Sequence, residues 1–199
     1  MPSSQYGEHE FILEHFAGRV GRFLDVGAYD GWNLSNTRQL MELGWSGVCI
    51  EPSPFVFPHL AKNLLQFPLV SGVEAAIIPD TDGHSNGKIK FWAVEDALST
   101  TDPRHKAIIE RHNPAIQYKE TTVKALKWLQ FLTQYPEPYD FINIDVEGMN
   151  WEVLRDGPLA EMVCVEMDPA DQIDRMKEHF NIFGLTNMRE IGGNLLAWR

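Results

Sequence analysis

Nine residues, FLDVGAYDG at 23–31, constrain this chain more than any other stretch. Phe23, Leu24, Asp25 and Val26 read as the end of a buried parallel strand, and Gly27 and Gly31 bracket a tight turn. Residues 32–43 then carry an approximately helical stripe of Leu34, Leu40, Met41 and Leu43, closed by Gly44. A strand, a glycine turn and a helix open the nucleotide-binding half of a doubly wound α/β sheet. The spacing here is Asp-x-Gly-x-x-x-Gly, whereas Gly-x-Gly-x-x-Gly brings backbone against a pyrophosphate at a helix N-terminus. A cofactor with adenosine but no phosphates, such as S-adenosylmethionine, needs close backbone approach only at the first glycine. Any βα turn that requires a glycine looks the same, so the motif alone leaves both readings open.

A second apolar run, GVCI at 47–50, ends in Glu51, twenty residues beyond Gly31. An acid at the tip of the second strand accepts hydrogen bonds from ribose hydroxyls. Pro52, Ser53 and Pro54 stop the strand and offer a helix cap, and Ser53 stands with Glu51 among the candidate cofactor-binding residues. A solvated strand-end carboxylate is the plainer account of Glu51; its place after a buried run favours the ribose role.

With 199 residues, 44% of them hydrophobic, the chain is expected to form a single domain over 1–199 with a sizeable core. A formal net charge of −11 argues against a nucleic-acid partner, which would want a basic stripe. Cys49 and Cys164 sit inside apolar runs and read as buried thiols of a reducing compartment, neither a disulfide nor a zinc pair. No apolar run has the length of a membrane span, and the opening MPSSQYGEHE lacks the apolar core of a signal peptide. A cytoplasmic location without a membrane partner is the resulting expectation.

Along the chain, residues 5–18 suggest an amphipathic helix with Phe11, Ile12, Leu13 and Phe16, and another helix is expected over 59–66. Residues 69–78 contain a buried strand with Glu74 and Ala75 near its end; 80–83 has turn chemistry, and KIKFWAV at 88–94 reads as a strand. Residues 95–118 are interrupted by Ser99, Thr100, Pro103, His105, His112 and Pro114, which suggests a substrate-facing lid with a short helix at 106–111. A helix with Leu126, Trp128, Leu129 and Leu132 follows, then a central strand at 139–145, a helix through Trp151, Val153 and Leu154, and a buried strand at 162–167. A helix over 169–183 precedes a hairpin over 185–198 that turns at Gly192-Gly193. The pattern is an α/β, Rossmann-like, doubly wound sheet, mostly parallel, with a C-terminal antiparallel hairpin.

Ligands of such sheets bind beyond the carboxyl ends of the strands. Glu51, Asp145 and Glu166 each sit at such an end, and Asp145-Val146-Glu147-Gly148 concentrates two carboxylates and a glycine after a buried run. Buried carboxylates need partners, and a cofactor sulfonium, a substrate hydroxyl or a metal would each serve. Helix capping and dipole compensation account for one acid there more readily than for two.

These blocks together resemble the FkbM-type class I methyltransferases: FLDVGAYDG at 23–31, CIEPSP at 49–54, VEAAI at 73–77 and INIDVEGMNWEVLRDG at 142–157, with SQYGEHEFI at 4–12 similar to the family's entry segment. The resemblance implies the class I methyltransferase fold and S-adenosylmethionine as cofactor. Asp25 and the turn Gly27, Ala28, Tyr29, Asp30, Gly31 would cradle its methionine part, Glu51 would hold the ribose, Glu74 and Ala75 would lie along the adenine, and Asp145 would sit near the methyl group. It also implies O-methylation of a sugar or natural-product hydroxyl, with a small-molecule or saccharide as partner.

A hydroxyl is a poor nucleophile near neutral pH and needs a positioned base or a metal. Asp145 and Glu147 are the candidate catalytic residues, with His105 or His112 as further possible bases, although both histidines read more readily as surface residues. Asp145 and Glu166 could instead hold a divalent ion through oxygen ligands, a reading placed slightly behind metal-free base assistance. Trp32 and Trp151 read as core residues before pocket walls. Two other functions remain open: an NAD-type oxidoreductase, which the glycine spacing and the terminal hairpin disfavour, and a non-catalytic cofactor-binding module.

Overall fold

The computed structural model describes residues 4–80, 87–168 and 172–199. In chain order the elements are α1 (Glu8–Phe16), β1 (Arg22–Val26), α2 (Arg38–Glu42), β2 (Ser46–Ile50), α3 (Phe57–Leu64), β3 (Val70–Val73), β4 (Ala76–Ile78) and β5 (Lys88–Ala93). They continue with α4 (Pro103–His112), β6 (Lys119–Lys127), α5 (Trp128–Gln134), β7 (Phe141–Ile144), α6 (Asn150–Asp156), β8 (Met162–Glu166), α7 (Ile173–Ile182), β9 (Asn187–Ile191) and β10 (Asn194–Trp198).

Side-chain alternation in the strands sorts the core into two layers. Leu24 and Val26 of β1, Ile142 and Ile144 of β7, and Val163 and Val165 of β8 pack with Trp128, Phe131, Leu154 and Phe180. Phe23, Phe141, Met162 and Cys164 face the other way, against Ile12, Phe16, Leu40 and Leu60. Both faces of the sheet are thus covered, as a central parallel sheet requires. Its order is β3-β2-β1-β7-β8-β10-β9, with β10 antiparallel to β8 and β9 closing the edge as a hairpin. The chain winds outward from β1 to β3, then returns to β7 on the other side of β1. The crevice between β1 and β7 is therefore the switch point where ligands bind in such sheets. This is the expected doubly wound α/β architecture. Both cysteines are buried and free, and among the described residues no helix is long and apolar enough to cross a membrane.

Several boundaries differ from expectation for local reasons. The first helix is shorter than 5–18, because Gly7 precedes it with φ +90° and Ala17 and Gly18 leave it in the left-handed region. The helix expected from residue 32 starts only at Arg38. Asp30 Oδ1 accepts from the N–H groups of Trp32 and Asn33, Leu34 adopts φ +57°, and Ser35 and Thr37 bond locally, so the segment is held in turns. Residues 69–78 divide into β3 and β4, which belong to different sheets. Leu126 lies in strand β6, whose alternating burial and Thr121-Thr122-Val123 run suit a strand that pairs β5 antiparallel and β4 parallel. This second, three-stranded sheet was not expected. The turn expected at 80–83 lies, from 81 onward, outside the described residues, as do residues 169–171 of the helix expected from 169.

At Gly27 (φ +85°) a Cβ would lie 1.7 Å from the carbonyl oxygen of Asp145, whereas at Gly44, with the same φ, it would meet open space. Gly44→Ala is therefore expected to cost only the left-handed penalty, about 1–2 kcal/mol. Gly27→Ala should cost more than about 4 kcal/mol or abolish folding, since β1 and β7 would have to separate. Urea denaturation of the two variants checks the difference, and equal losses would contradict the close approach.

Candidate active site

A cavity of about 560 Å³ opens at the switch point, lined by the ends of β1, β2, β7 and β8, by residues 75–77, and by residues 96–101 with His105, Ile108 and Ile109. Eight carboxylates line it and, among the described residues, no lysine or arginine does.

The glycine turn is fixed by a buried polar network. Thr37 Oγ1 donates to Asp25 Oδ2 (2.6 Å), Asn143 Nδ2 donates to Asp25 Oδ1 (2.9 Å), and Asn36 Nδ2 donates to Asn143 Oδ1 (2.9 Å). Asp25 and Asn143 face each other across the β1–β7 register. The N–H groups of Gly27 and Ala28 both donate to Ile50 O at 2.9 Å, so the turn lacks the free amides that a pyrophosphate takes. Glu51 accepts from Tyr29 N–H (3.1 Å) and Ser53 N–H (2.7 Å), one on each carboxylate oxygen, and each oxygen keeps a lone pair.

Across the cavity, Asp145 leaves β7 and Glu166 ends β8. Buried Asn150 accepts from Val146 N–H (2.8 Å) and donates to Glu166 Oε2 (3.0 Å), binding the β7–α6 turn to β8. Glu147 has φ +49°. Its Oε2 lies 2.9 Å from His105 Nε2, while His105 Nδ1 lies 2.8 Å from Asp168 Oδ2. A Cβ on Gly148 would stand 2.6 Å from His105 Cβ, which explains a glycine in this turn. Thr100 Oγ1 donates to Glu147 O (2.6 Å), and Asp102 caps α4 by accepting from Arg104 N–H. Segment 95–112 is thereby pinned to the acidic turn. One oxygen each of Asp145, Glu147 and Glu166 lie within 4.8 Å of one another, and His105, Glu147 and Asp168 form a second such set.

The cavity gathers Asp25, Gly27, Ala28, Tyr29, Glu51, Ala75, Asp145 and Glu147. It does not gather the other candidates. Asp30 is committed to its own turn, a Cβ on Gly31 would meet Leu60 at 2.7 Å, Ser53 is buried behind Glu51, and Glu74 is exposed. His105, expected on the surface, is buried with 7% of its side chain exposed, because α4 folds back over Gly148. His112 is exposed as expected. Trp32 packs under the Arg38 guanidinium and Trp151 against His179, and neither lines the cavity. Asn143 and Asn150 escaped sequence reasoning; a polar residue inside the buried run FINI was the available signal for the first.

Burial raises Asp25 above the usual carboxylate range against the hydrogen bonds from Thr37 and Asn143. It lifts Glu51 to about 8 despite the two amides. Burial also pushes Asp145 and Glu166 up, and Glu147's charge adds to both shifts. Burial pulls His105 down, but Asp168 and Glu147 outweigh it and raise the imidazole to about 10, so it is charged at neutral pH.

These shifts share one sign. A raised acid keeps a proton that the unfolded chain releases near its ordinary 4.5, so its contribution is complete below that pH and is lost as pH climbs through the folded value. His105 contributes fully below 6.5 and loses that contribution on the way to about 10. His179, lowered by burial, opposes this only around its ordinary 6.5. The Tm of the ligand-free protein should therefore be highest near about pH 5 and fall toward about pH 9, each titrating group contributing up to about 1.4 kcal/mol per pH unit. Calorimetry across that range checks the slope; a Tm rising with pH would contradict the buried acids.

The family model for the methyltransferase FkbM domain matches residues 25–183, a span that includes the glycine turn, Glu51 and the Asp145–Gly148 turn. Among solved structures, the precorrin-6y C5,15-methyltransferase of Geobacter metallireducens GS-15 is similar at 14% identity and a TM-score of 0.52, over 96% of this chain and 87% of that one. The putative methyltransferase yhhF of Escherichia coli is 15% identical, with a TM-score of 0.48 over 98% of this chain and 86% of that one. At these identities the first likeness shows a shared fold and the second adds no argument. A comparison with curated proteins finds no match. The chain belongs to the FkbM methyltransferase family and is an S-adenosylmethionine-dependent methyltransferase.

Proposed function

We propose that the chain methylates a hydroxyl of a sugar or natural-product-like small molecule. The observation that carries this reading is one cavity joining the glycine turn and Glu51 to Asp145 and Glu147, with no lysine or arginine among the described residues lining it. Such a lining repels the phosphates of a dinucleotide and favours a neutral polyol and a cofactor that carries a sulfonium and an ammonium. Thr101 beside the apolar Leu98, Ile108 and Ile109 suits an acceptor with both polar and apolar parts, while the hydroxyls of Ser99 and Thr100 hold Val94 and Glu147. The same charge, and the occupied amides of Gly27 and Ala28, disfavour a dinucleotide.

When bound, S-adenosylmethionine supplies an electrophilic methyl on sulfur. In this reading Gly27 allows close backbone approach, the free lone pairs of Glu51 accept the ribose hydroxyls, and Ala75 gives adenine a flat wall, leaving the exposed Glu74 without a part. Asp145 takes the acceptor proton in its ionised form, which burial and the neighbouring Glu166 make scarcer but more basic. Glu147, paired with a charged His105, orients more than it abstracts. Alignment of acceptor oxygen, methyl and sulfur supplies much of the rate. The free, buried thiols fit a cytoplasmic setting.

Calorimetric titration with S-adenosylmethionine, S-adenosylhomocysteine, NAD and NADP should show binding of the first two alone. Glu51→Ala should weaken S-adenosylmethionine by about 1–3 kcal/mol, a loss of roughly 5- to 150-fold, with the fold intact. Unchanged affinity would remove Glu51 from the cofactor site. In a turnover assay with hydroxylated acceptors, Asp145→Asn should slow kcat far more than it weakens binding; equal losses would make Asp145 a binding group.

A further inference from the structure

The acidic turn has a feature that methyl transfer does not require. Asp145 Oδ1 is shut off from solvent and receives no hydrogen bond among the described residues. Its neighbours are carboxylates: one oxygen each of Asp145, Glu147 and Glu166 lie within 4.8 Å of one another. The groups come from three fixed positions, the end of β7, the end of β8 and the strained turn between β7 and α6. Asn150 Nδ2 donates to this group, but to Glu166 and not to Asp145. His105 does not fill the gap either. Its Nε2 faces Glu147 at 2.9 Å and its Nδ1 faces Asp168 at 2.8 Å, so it aims Glu147 inward from the far side. No lysine or arginine among the described lining residues reaches in. A carboxylate oxygen shut off from solvent, with no donor, in a group of three acids is satisfied by a proton that the acids share or by a cation that replaces it.

We propose that Asp145, Glu147 and Glu166 form a site for a hard divalent cation of the Mg²⁺ or Mn²⁺ kind, with His105 and Asp168 positioning Glu147. An all-oxygen set supplied by a few carboxylates, open on the cavity side to water or to an acceptor, matches the preference of these ions. Thiolate and imidazole-rich sets would select other metals. At this place a divalent ion would polarise an acceptor hydroxyl that enters the cavity, with Asp145 then its ligand in place of the free base. Only that use rests on the methyl-transfer reading; the binding does not.

The test is a titration of the EDTA-treated, desalted full-length protein with MnCl₂, reading free Mn²⁺ by electron paramagnetic resonance. One ion per chain is expected to bind saturably, with affinity reduced about tenfold or more in Asp145→Asn and in Glu166→Gln. Glu10→Gln, an exposed acid on α1, should bind as the parent does, and circular dichroism should show all variants folded. Absence of saturable binding overturns the site, as does equal binding by the parent and both site variants. Displacement of Mn²⁺ by glucosamine at equal concentration would also overturn it, assigning the carboxylates to an ammonium. S-adenosylmethionine binding measured in EDTA keeps the two readings apart: its loss would sink the proposed function while leaving the Mn²⁺ result standing.

Discussion

The site depends on how closely two backbones approach at one point. Gly27 lies against the carbonyl of Asp145 so tightly that no side chain fits between them, and the hydrogen bond from Asp145 N–H to Val26 O (2.9 Å) closes the same gap. This contact sits at the switch point, where β1 feeds the turn on one side and β7 the acidic turn on the other. It sets the distance between the half of the cavity that faces Glu51 and the half that carries Asp145, Glu147 and Glu166. The Asp25–Asn143 hydrogen bond, two register steps earlier, locks the same pair of strands from inside the sheet. A polar pair in an otherwise apolar strand is costly unless satisfied, and here each member is hydrogen-bonded.

Charge is the second organising constraint. Eight carboxylates around one cavity, unrelieved by described lysine or arginine side chains in its lining, cannot all be ionised at little cost. The fold relieves this locally in different ways. Backbone amides hold Glu51, hydroxyl and amide side chains hold Asp25, and a charged His105 lies between Glu147 and Asp168. Asp145 and Glu166 are left facing each other, and burial raises both. The least compensated part of the cavity is therefore the pair of acids at the ends of β7 and β8. A ligand that brings positive charge there lowers the free energy of the folded state directly, which couples binding to stability.

The sheet was legible because its signals are local. Apolar runs of strand length, a glycine turn and acids at strand tips survive without knowledge of tertiary contacts, and they located Asp25, Gly27, Glu51 and Asp145 in the chain. What escaped depends on partners distant in sequence. The strand β6 alternates, but it hid behind Leu126, Trp128 and Leu129, whose spacing mimics a helix, although Leu129 proves exposed. The start of α2 was obscured because Leu34 fits a helical stripe while its backbone is left-handed. Nothing in RHKAIIERH announces that His105 is buried; that follows only when α4 lies against Gly148. Glu74 and Ala75 were indistinguishable as neighbours in a strand, and only the split between β3 and β4 turns one to solvent and the other to the cavity.

Backbone strain points to the same place as charge. Among the described residues four non-glycine positions have positive φ: Ala17, which ends α1, and Tyr29, Leu34 and Glu147. The last three all line the cavity. Each such residue costs on the order of 1–3 kcal/mol and persists only where its surroundings over-determine it. For Tyr29 the surroundings are Glu51, which receives its N–H; for Glu147 they are Thr100 on its carbonyl and His105 on its carboxylate. Relaxing either would restore a comfortable backbone and turn a side chain away from the cavity. The chain thus sacrifices local stability, and crowds like charges, at the one location where β1 and β7 bring the glycine turn to the acids. A packed two-layer core supplies the stability that makes both affordable. Strain and uncompensated charge arising independently in one cavity are better explained by a ligand that uses them than by packing, which would remove both.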